Sequence, residues 1–558
     1  VNKNENIVHG INSISEIYLQ QNTCKNADKS QLKSIIEGGC KMILKLNELR
    51  DKLAGCWTGK NVGGVLGAPF ECKRMIPNVD FYVQDLTQGP PANDDLDLQI
   101  VWLAAVERYG RNVNASILGE YWLSFVIPNW VEYGTGKTNL RAGLVPPLSG
   151  DVDNTYKNSN GCWIRSELWA CLAPGHPEIA TRYAFEDAIV DHADEGMYAE
   201  IFTAAIQSAA FVENDREKLV EIGLSYLPEN CMTAQAIQKA VDCYHSGVDF
   251  IEARKLIHNT APGTFGIQGI AISEIPTENN EGMELGAAGF DAPENVAFVV
   301  LGLLYGEGDF GKSLILANNC GEDTDCTCAT LGALLGIMNG ASKLPEKWTD
   351  PLNDKIVTMC INKTGGGIWV PETATQLAER ILRDIPGFLG QDLCDVFAEG
   401  GMKIECCERE ALFCKKIDDY LPYINLSGRM YETPLNELCA QPYVARYKFT
   451  AFQVLIDYEG SAFFKKGENR KFKVKVINSN TMREQQWVKI KLYLPDGVTA
   501  VGVSEVEMPL NNLYLSCAEK EFELNTESFM SGRKELIVDV SLNGRHSSGP
   551  VKMVLRGQ

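Results

Sequence analysis

Apolar residues recur at spacings of three and four through most of residues 46–390. This period predicts helices at 94–109, 177–192, 197–213, 234–246, 293–305, 326–339 and 372–383. Glycine- and proline-rich text at 135–150 and 260–276 reads as loops between them. From about 443 the period changes to two. Lys471-Phe472-Lys473-Val474-Lys475-Val476-Ile477 alternates polar and apolar, as do 488–494, 535–540 and 551–555, with a turn at Pro495-Asp496-Gly497. Short alternating runs at close spacing predict an antiparallel β-sandwich. The chain therefore reads as mainly α and in four parts: a polar helical extension over 1–45, an all-α domain over 46–390, an irregular linker over 391–442 carrying Pro422, Pro434 and Pro442, and a β-sandwich over 443–558.

A length of 558 residues exceeds what one core fills. No run of 18 apolar residues occurs, which argues against a membrane-spanning helix. The first 21 residues are polar and lack the apolar centre of a secretion signal. Seventy-three acids against 52 bases give a net charge of −21, so nucleic acid and anionic membranes are poor partners. The 18 cysteines are irregularly spaced, without a Cys-x-x-Cys pair, and read as reduced, buried thiols of a cytoplasmic protein.

Several catalytic classes are excluded by missing motifs. No His-Glu-x-x-His and no Gly-x-Ser-x-Gly occurs. Gly134-Thr135-Gly136-Lys137-Thr138 resembles the end of a phosphate-binding loop, but Val131 stands where its first glycine is required.

Three other stretches carry chemistry. In Asn319-Cys320-Gly321-Glu322-Asp323-Thr324-Asp325-Cys326-Thr327, two aspartates precede a run of small and apolar residues that reads as a tightly packed helix. Residues two apart diverge on a helix, so the carboxylates meet only on the turn that enters it. Acids are stabilised there by the helix dipole. Clustered oxygens on a rigid support suit a hard cation such as Mg2+ or Mn2+; capping the helix is the alternative for the same residues. Upstream, Asn93-Asp94-Asp95-Leu96-Asp97 opens a second apolar helix, with Asn93 in position to cap it. Further upstream, glycine-rich text from Gly59 to Gly67 ends at Glu71, and its glycines allow elements to approach closely around a pocket into which Glu71 projects.

In this order the three stretches resemble the ADP-ribosylglycohydrolase family over about residues 50 to 390. The family's marks are a glycine-rich first helix ending near a glutamate, a Thr-Asp-Asp motif, and Gly-Gly-Asp-Thr-Asp-Thr before a small-residue helix. The resemblance implies an all-α catalytic domain that hydrolyses an N- or O-glycosidic bond of an ADP-ribosyl or related ribosyl substrate, either a small molecule or linked to protein. It implies two divalent ions, Mg2+ or Mn2+, held by Asp94, Asp95, Asp323 and Asp325 with Asn93, and with Thr327 as the candidate to supply the ligand lost where Cys326 stands for the family's threonine. Glu71 would position or deprotonate the attacking water. It also implies a substrate loop at Asn160-Gly161 and a ribose-facing His192; read alone, these are a helix start and a structural histidine. Asn93 replaces a metal-binding threonine but keeps a carbonyl oxygen. Cys326 replaces a second threonine, and a neutral thiol is a poor Mg2+ ligand. Glu322 replaces a glycine. Two alternatives follow from these departures and the appended β-domain: a hydrolase of other furanosides or small glycosides, or a non-catalytic relative that binds ADP-ribose or a sugar.

Overall fold

A computed structural model describes residues 42–261, 289–363, 367–414, 443–449, 451–478, 485–511, 516–526, 532–544 and 548–557. The chain divides into two compact units, Val1–Met430 and Tyr431–Gln558.

The first unit is helical. Its site-bearing helices are α1 (Leu46–Gly67), α2 (Asp94–Tyr109), α3 (Val131–Arg141), α4 (Asp194–Ala209), α5 (Ala292–Tyr305), α6 (Thr324–Asn339) and α7 (Ala374–Leu389). Helices α5 and α6 are apolar round their circumference, and both are buried almost end to end, the environment such helices require. Helix α7 is amphipathic and lays Leu377, Ile381, Ile385 and Phe388 into the core.

Helices α1 and α6 lie backbone to backbone. Gly55, Gly59, Gly63 and Gly67, four residues apart on α1, face Gly336, Gly332, Cys328 and Thr324, four apart on α6. A Cβ added at Gly59 would sit 2.0 Å from the Gly332 carbonyl oxygen, and one at Gly63 1.9 Å from that of Cys328. No side chain fits there. Each glycine costs about 1 kcal/mol of helix propensity relative to alanine, and the close approach offsets that cost by packing. Its consequence for the site is positional. Thr324 Oγ1 donates to the Gly67 carbonyl at 2.8 Å, so the end of α1, and Glu71 beyond it, is pinned to the start of α6.

Helices were expected at 94–109 and 293–305, and α2 and α5 lie there. The loop expected at 135–150 is in part helix: α3 occupies Val131–Arg141, and Leu148–Asp151 is a further short turn of helix. Its glycines reflect close approach. A Cβ at Gly134 would meet the Asn129 carbonyl oxygen at 2.4 Å, and one at Gly136 would meet Asp191. The buried Lys137 ammonium donates to the carbonyls of Val126 and Pro128, in keeping with the rejection of a phosphate loop. Within 391–442, where an irregular linker was expected, β2 (Cys394–Asp395) and β3 (Lys403–Cys406) join β1 (Met42–Lys45) in a three-stranded antiparallel sheet of order β1-β3-β2. Residues 1–41, 262–276 and 415–442, with the expectations that fall on them, lie outside the described residues.

The described residues of the second unit form two five-stranded sheets. One, of order β4-β5-β7-β11-β9, comprises Val444–Lys448, Phe452–Asp457, Asn469–Asn478, Cys517–Asn525 and Thr499–Ala500. The other, of order β10-β8-β12-β13-β6, comprises Glu505–Leu510, Gln486–Tyr493, Gly532–Leu542, Ser548–Gly557 and Phe463–Phe464. Pairings are antiparallel except that of β13 with β6. The alternating sequence explains the faces. Phe472, Val474 and Val476 of β7 point into the core with Val488 and Ile490 of β8, while Lys471 and Lys475 stay outside against Glu521 and Glu519. Among the described residues, no helix is long and apolar enough to cross a membrane.

Candidate metal centre

The acids converge where α2 and α6 begin. Asn93 Oδ1 accepts the Asp95 N–H at 2.8 Å and so caps α2, a task that Asp94 and Asp95 need not then perform. Asp323, by contrast, makes no side-chain capping bond to α6. Its Oδ2 accepts from Asn160 Nδ2 at 2.6 Å, and its own N–H donates to Asn295 Oδ1. The capping alternative therefore does not account for Asp323.

Two sets of ligand-type atoms result. Carboxylate oxygens of Glu71, Asp323 and Asp325 lie within 4.8 Å of one another. So do oxygens of Asp95 and Asp325 and the sulfur of Cys326. Asp325 belongs to both. Buried oxygens of Asp95 (Oδ2), Asp323 (Oδ1) and Asp325 (Oδ1) lack a hydrogen-bond partner. Such orphaned acceptors are costly inside a protein, and a divalent cation among them removes both that cost and the mutual repulsion of the acids. The residues present fit a divalent cation.

Electrostatics agree with that fit. Burial, and then Asp325, holds the Asp323 carboxyl well above the usual range. Burial, and then Glu71 and Asp95, does the same to Asp325. Burial raises Asp95 as well, against the opposing pull of Lys60. Lys60 is itself buried on α1, with its ammonium 2.7 Å from the Ile164 carbonyl and 3.2 Å from Glu167. Glu71 stands at the rim. The residue is exposed to solvent while its carboxyl faces the acids, and burial of that end followed by Asp323 and Asp94 pushes it up to about 8.

Of the other candidate residues, Asn160 reaches the centre through Asp323, while Asp94 and His192 belong to neither ligand set. Asp94 is half-buried and accepts from the Tyr133 hydroxyl at 3.0 Å. Thr327 is buried, and its hydroxyl donates to the Thr324 carbonyl at 3.1 Å; the residue after Asp325 that enters the cluster is Cys326. Asn160 bridges Asp323 to Trp163 Nε1 through its Oδ1. At Gly161 a Cβ would lie 2.0 Å from Glu132 Oε1, so the glycine makes room for a buried acid. His192 is fully buried, with Nε2 3.0 Å from Ser159 Oγ and Nδ1 3.0 Å from Asp191 Oδ1.

Sequence reasoning missed Lys60, Arg74 and Tyr133. Arg74 pairs with Glu322 in the interior. Only Lys60 carried a signal, as a charge among the glycines of an otherwise small and apolar helix.

A relative with a similar sequence is the ADP-ribosylarginine hydrolase Tri1 of Serratia proteamaculans (strain 568), 22% identical over 316 residues, which span 55% of this chain and 76% of that protein. A solved structure described as an ADP-ribosylglycohydrolase-related protein complex aligns at 19% identity with a TM-score of 0.37, covering 62% of this chain and 99% of the other. The family model for ADP-ribosylglycohydrolase matches residues 45–386, a span that takes in Glu71, both aspartate pairs and helices α1 to α6, and this chain belongs to that family.

Proposed function

We propose that the helical domain, residues 46–390, hydrolyses the glycosidic bond of an ADP-ribosyl or related ribosyl substrate in a reaction that depends on divalent metal. The observation that carries this reading is the convergence of Glu71, Asp323 and Asp325 oxygens beside buried acceptors that lack donors. Asp95, Asp323 and Asp325 would hold two ions, with Asp325 shared and with Asp94 and Asn93 at the edge. Bound Mg2+ or Mn2+ would supply Lewis-acid grip on the sugar hydroxyls and acidify a water.

This chain's own residues then divide the work. Asn160 fixes the Asp323 carboxylate. Tyr133 orients Asp94. Glu71 accepts a proton from the water whose oxygen bonds to the anomeric carbon. The bond from that carbon to its N or O leaving group breaks through an oxocarbenium-like state, and the leaving group takes up a proton. The name of the Serratia relative makes an arginine-linked N-glycoside one substrate to try. The C-terminal unit, read as a sandwich because both sheets feed one hydrophobic cluster, keeps small furanosides in the same panel.

The test is that panel on the metal-stripped full chain with Mg2+ and Mn2+ added back, run beside Asp323→Ala. Turnover that requires metal and vanishes in a folded Asp323→Ala protein is expected. Wild-type rates in that variant overturn the reading.

A further inference from the structure

We propose that Cys326 is itself a metal ligand: its thiolate, with Asp95 and Asp325, makes one half of the acidic centre a sulfur–oxygen site for a thiophilic divalent cation such as Zn2+ or Co2+. The proposal rests on reading the centre as a metal site and adds which ion that half selects.

The sulfur, one Asp95 oxygen and one Asp325 oxygen lie within 4.8 Å of one another, and all three residues are more than nine-tenths buried. Cys326 Sγ is 3.6 Å from Asp95 Oδ1. A tetrahedral centre with a metal–sulfur bond of about 2.3 Å and a metal–oxygen bond of about 2.1 Å sets sulfur and oxygen about 3.6 Å apart. A thiol donating a weak hydrogen bond to Asp95 gives the same spacing. It leaves Asp95 Oδ2 and Asp325 Oδ1, both buried, without any partner; a cation held by both carboxylates would answer that deficit. Ligation releases the thiol proton to solvent. A sulfur donor disfavours Mg2+ and favours borderline and soft ions, whereas the half held by Asp323 and Asp325, beside Glu71, offers oxygen alone and suits Mg2+ or Mn2+. The two halves would then take different ions, with Asp325 between them.

The experiment titrates Co2+ alone into the metal-free, reduced full chain, with calorimetry for binding and absorption for thiolate-to-cobalt charge transfer, followed by Zn2+ competition. Cys326→Ser and Cys326→Thr are run in parallel. The expected result is a charge-transfer band that saturates with binding, is bleached by Zn2+, and is absent from both variants. Cys326→Thr should also weaken Zn2+ binding by more than about tenfold while retaining Mg2+. Co2+ binding without the band, or a band that persists in both variants, overturns the proposal and leaves the metal-centre reading standing. No binding of any divalent ion to the wild-type chain overturns both. Because other free cysteines could also give such a band, the assignment rests on its loss in a folded variant, and the two substitutions are run so that the failure of one to fold leaves the other to decide.

Discussion

Arg74 and Glu322 form a buried, two-pronged ion pair, with Nε 2.5 Å from Oε1 and Nη2 3.2 Å from Oε2. Glu322 occupies the left-handed region at φ 63°, where glycine is the ordinary choice. Its N–H donates to the Lys73 carbonyl at 2.9 Å, and its Oε2 accepts the Gly289 N–H at 2.7 Å. One side chain thus ties the segment after Glu71, the segment before α5 and the turn that carries Asp323. This is a physical account of the departure at Glu322: the acid gives up a relaxed backbone and gains a three-way tie.

Replacing Glu322 separates the two effects. Glu322→Ala orphans the buried arginine from this partner and should lower unfolding free energy by about 3–5 kcal/mol. Glu322→Gly loses the same pair but relaxes the left-handed backbone, so it should be less damaging by about 1–2 kcal/mol. Urea denaturation of the full chain gives both numbers. Equal losses in the two variants would show that the backbone at 322 is not strained.

The glycine seam makes a second expectation. Gly59→Ala places a methyl group into the Gly332 carbonyl and should destabilise by about 1–3 kcal/mol through overpacking. Because α1 positions Glu71 against Asp323 and Asp325, the same variant should weaken divalent-ion binding. Gly387→Ala is the control. It lies in α7 with nothing within 4 Å of an added Cβ, and should be neutral or gain about 0.5–1 kcal/mol. Matched losses at both positions, in thermal melts and in calorimetry, would dissociate the seam from the site.

Much of this was legible in the sequence, for identifiable reasons. Helices α2 and α5 followed from apolar spacing, and the strands of β7, β8 and β12 from strict alternation, because one buried face dictates each pattern. The convergence of Asp323 and Asp325 followed from their place at the entry of a small-residue helix, although only Asp323 stands ahead of α6 and Asp325 lies in its first turn. Helix α3 was hidden because its glycines answer to close packing, Gly134 against the nearby Asn129 and Gly136 against Asp191, distant in sequence. Arg74–Glu322 and Tyr133–Asp94 were hidden for the same reason: a partner 248 or 39 residues away leaves no periodic trace. Cys326 was visible as a departure, but only geometry turns it toward Asp95.

Glu71 is the residue whose loss should affect turnover most selectively. It stands at the exposed rim, unlike the buried aspartates, so Glu71→Gln should leave folding intact. General-base assistance is worth roughly 10²–10⁴-fold in rate. A fall of that size in kcat, with divalent affinity reduced far less, is the expected result on whichever substrate of the panel turns over. If affinity collapses and kcat at saturating metal is unchanged, Glu71 is a metal ligand and not the proton acceptor.

The same acids link metal, pH and stability with a definite sign. Burial and neighbouring acids raise the folded-state carboxyls of Asp323 and Asp325, and bring Glu71 to about 8 from an ordinary 4.5. A group with a raised folded pKa binds more protons folded than unfolded between those two values. Its contribution to stability is present below pH 4.5 and is lost as pH rises toward 8. The metal-free protein should therefore lose stability across that window. Bound divalent ion reverses the trend, because ligation requires the ionised carboxylates and stabilises the folded state by RT ln(1 + L/Kd), where L is the free ion concentration, with an affinity that rises as they ionise. The measurable quantity is the difference in Tm between metal-loaded and EDTA-treated protein, in which groups remote from the centre cancel. It should be small near pH 5 and grow steadily toward pH 8, and Asp325→Asn should flatten it. A difference that shrinks with rising pH would contradict a carboxylate-held cation at this centre.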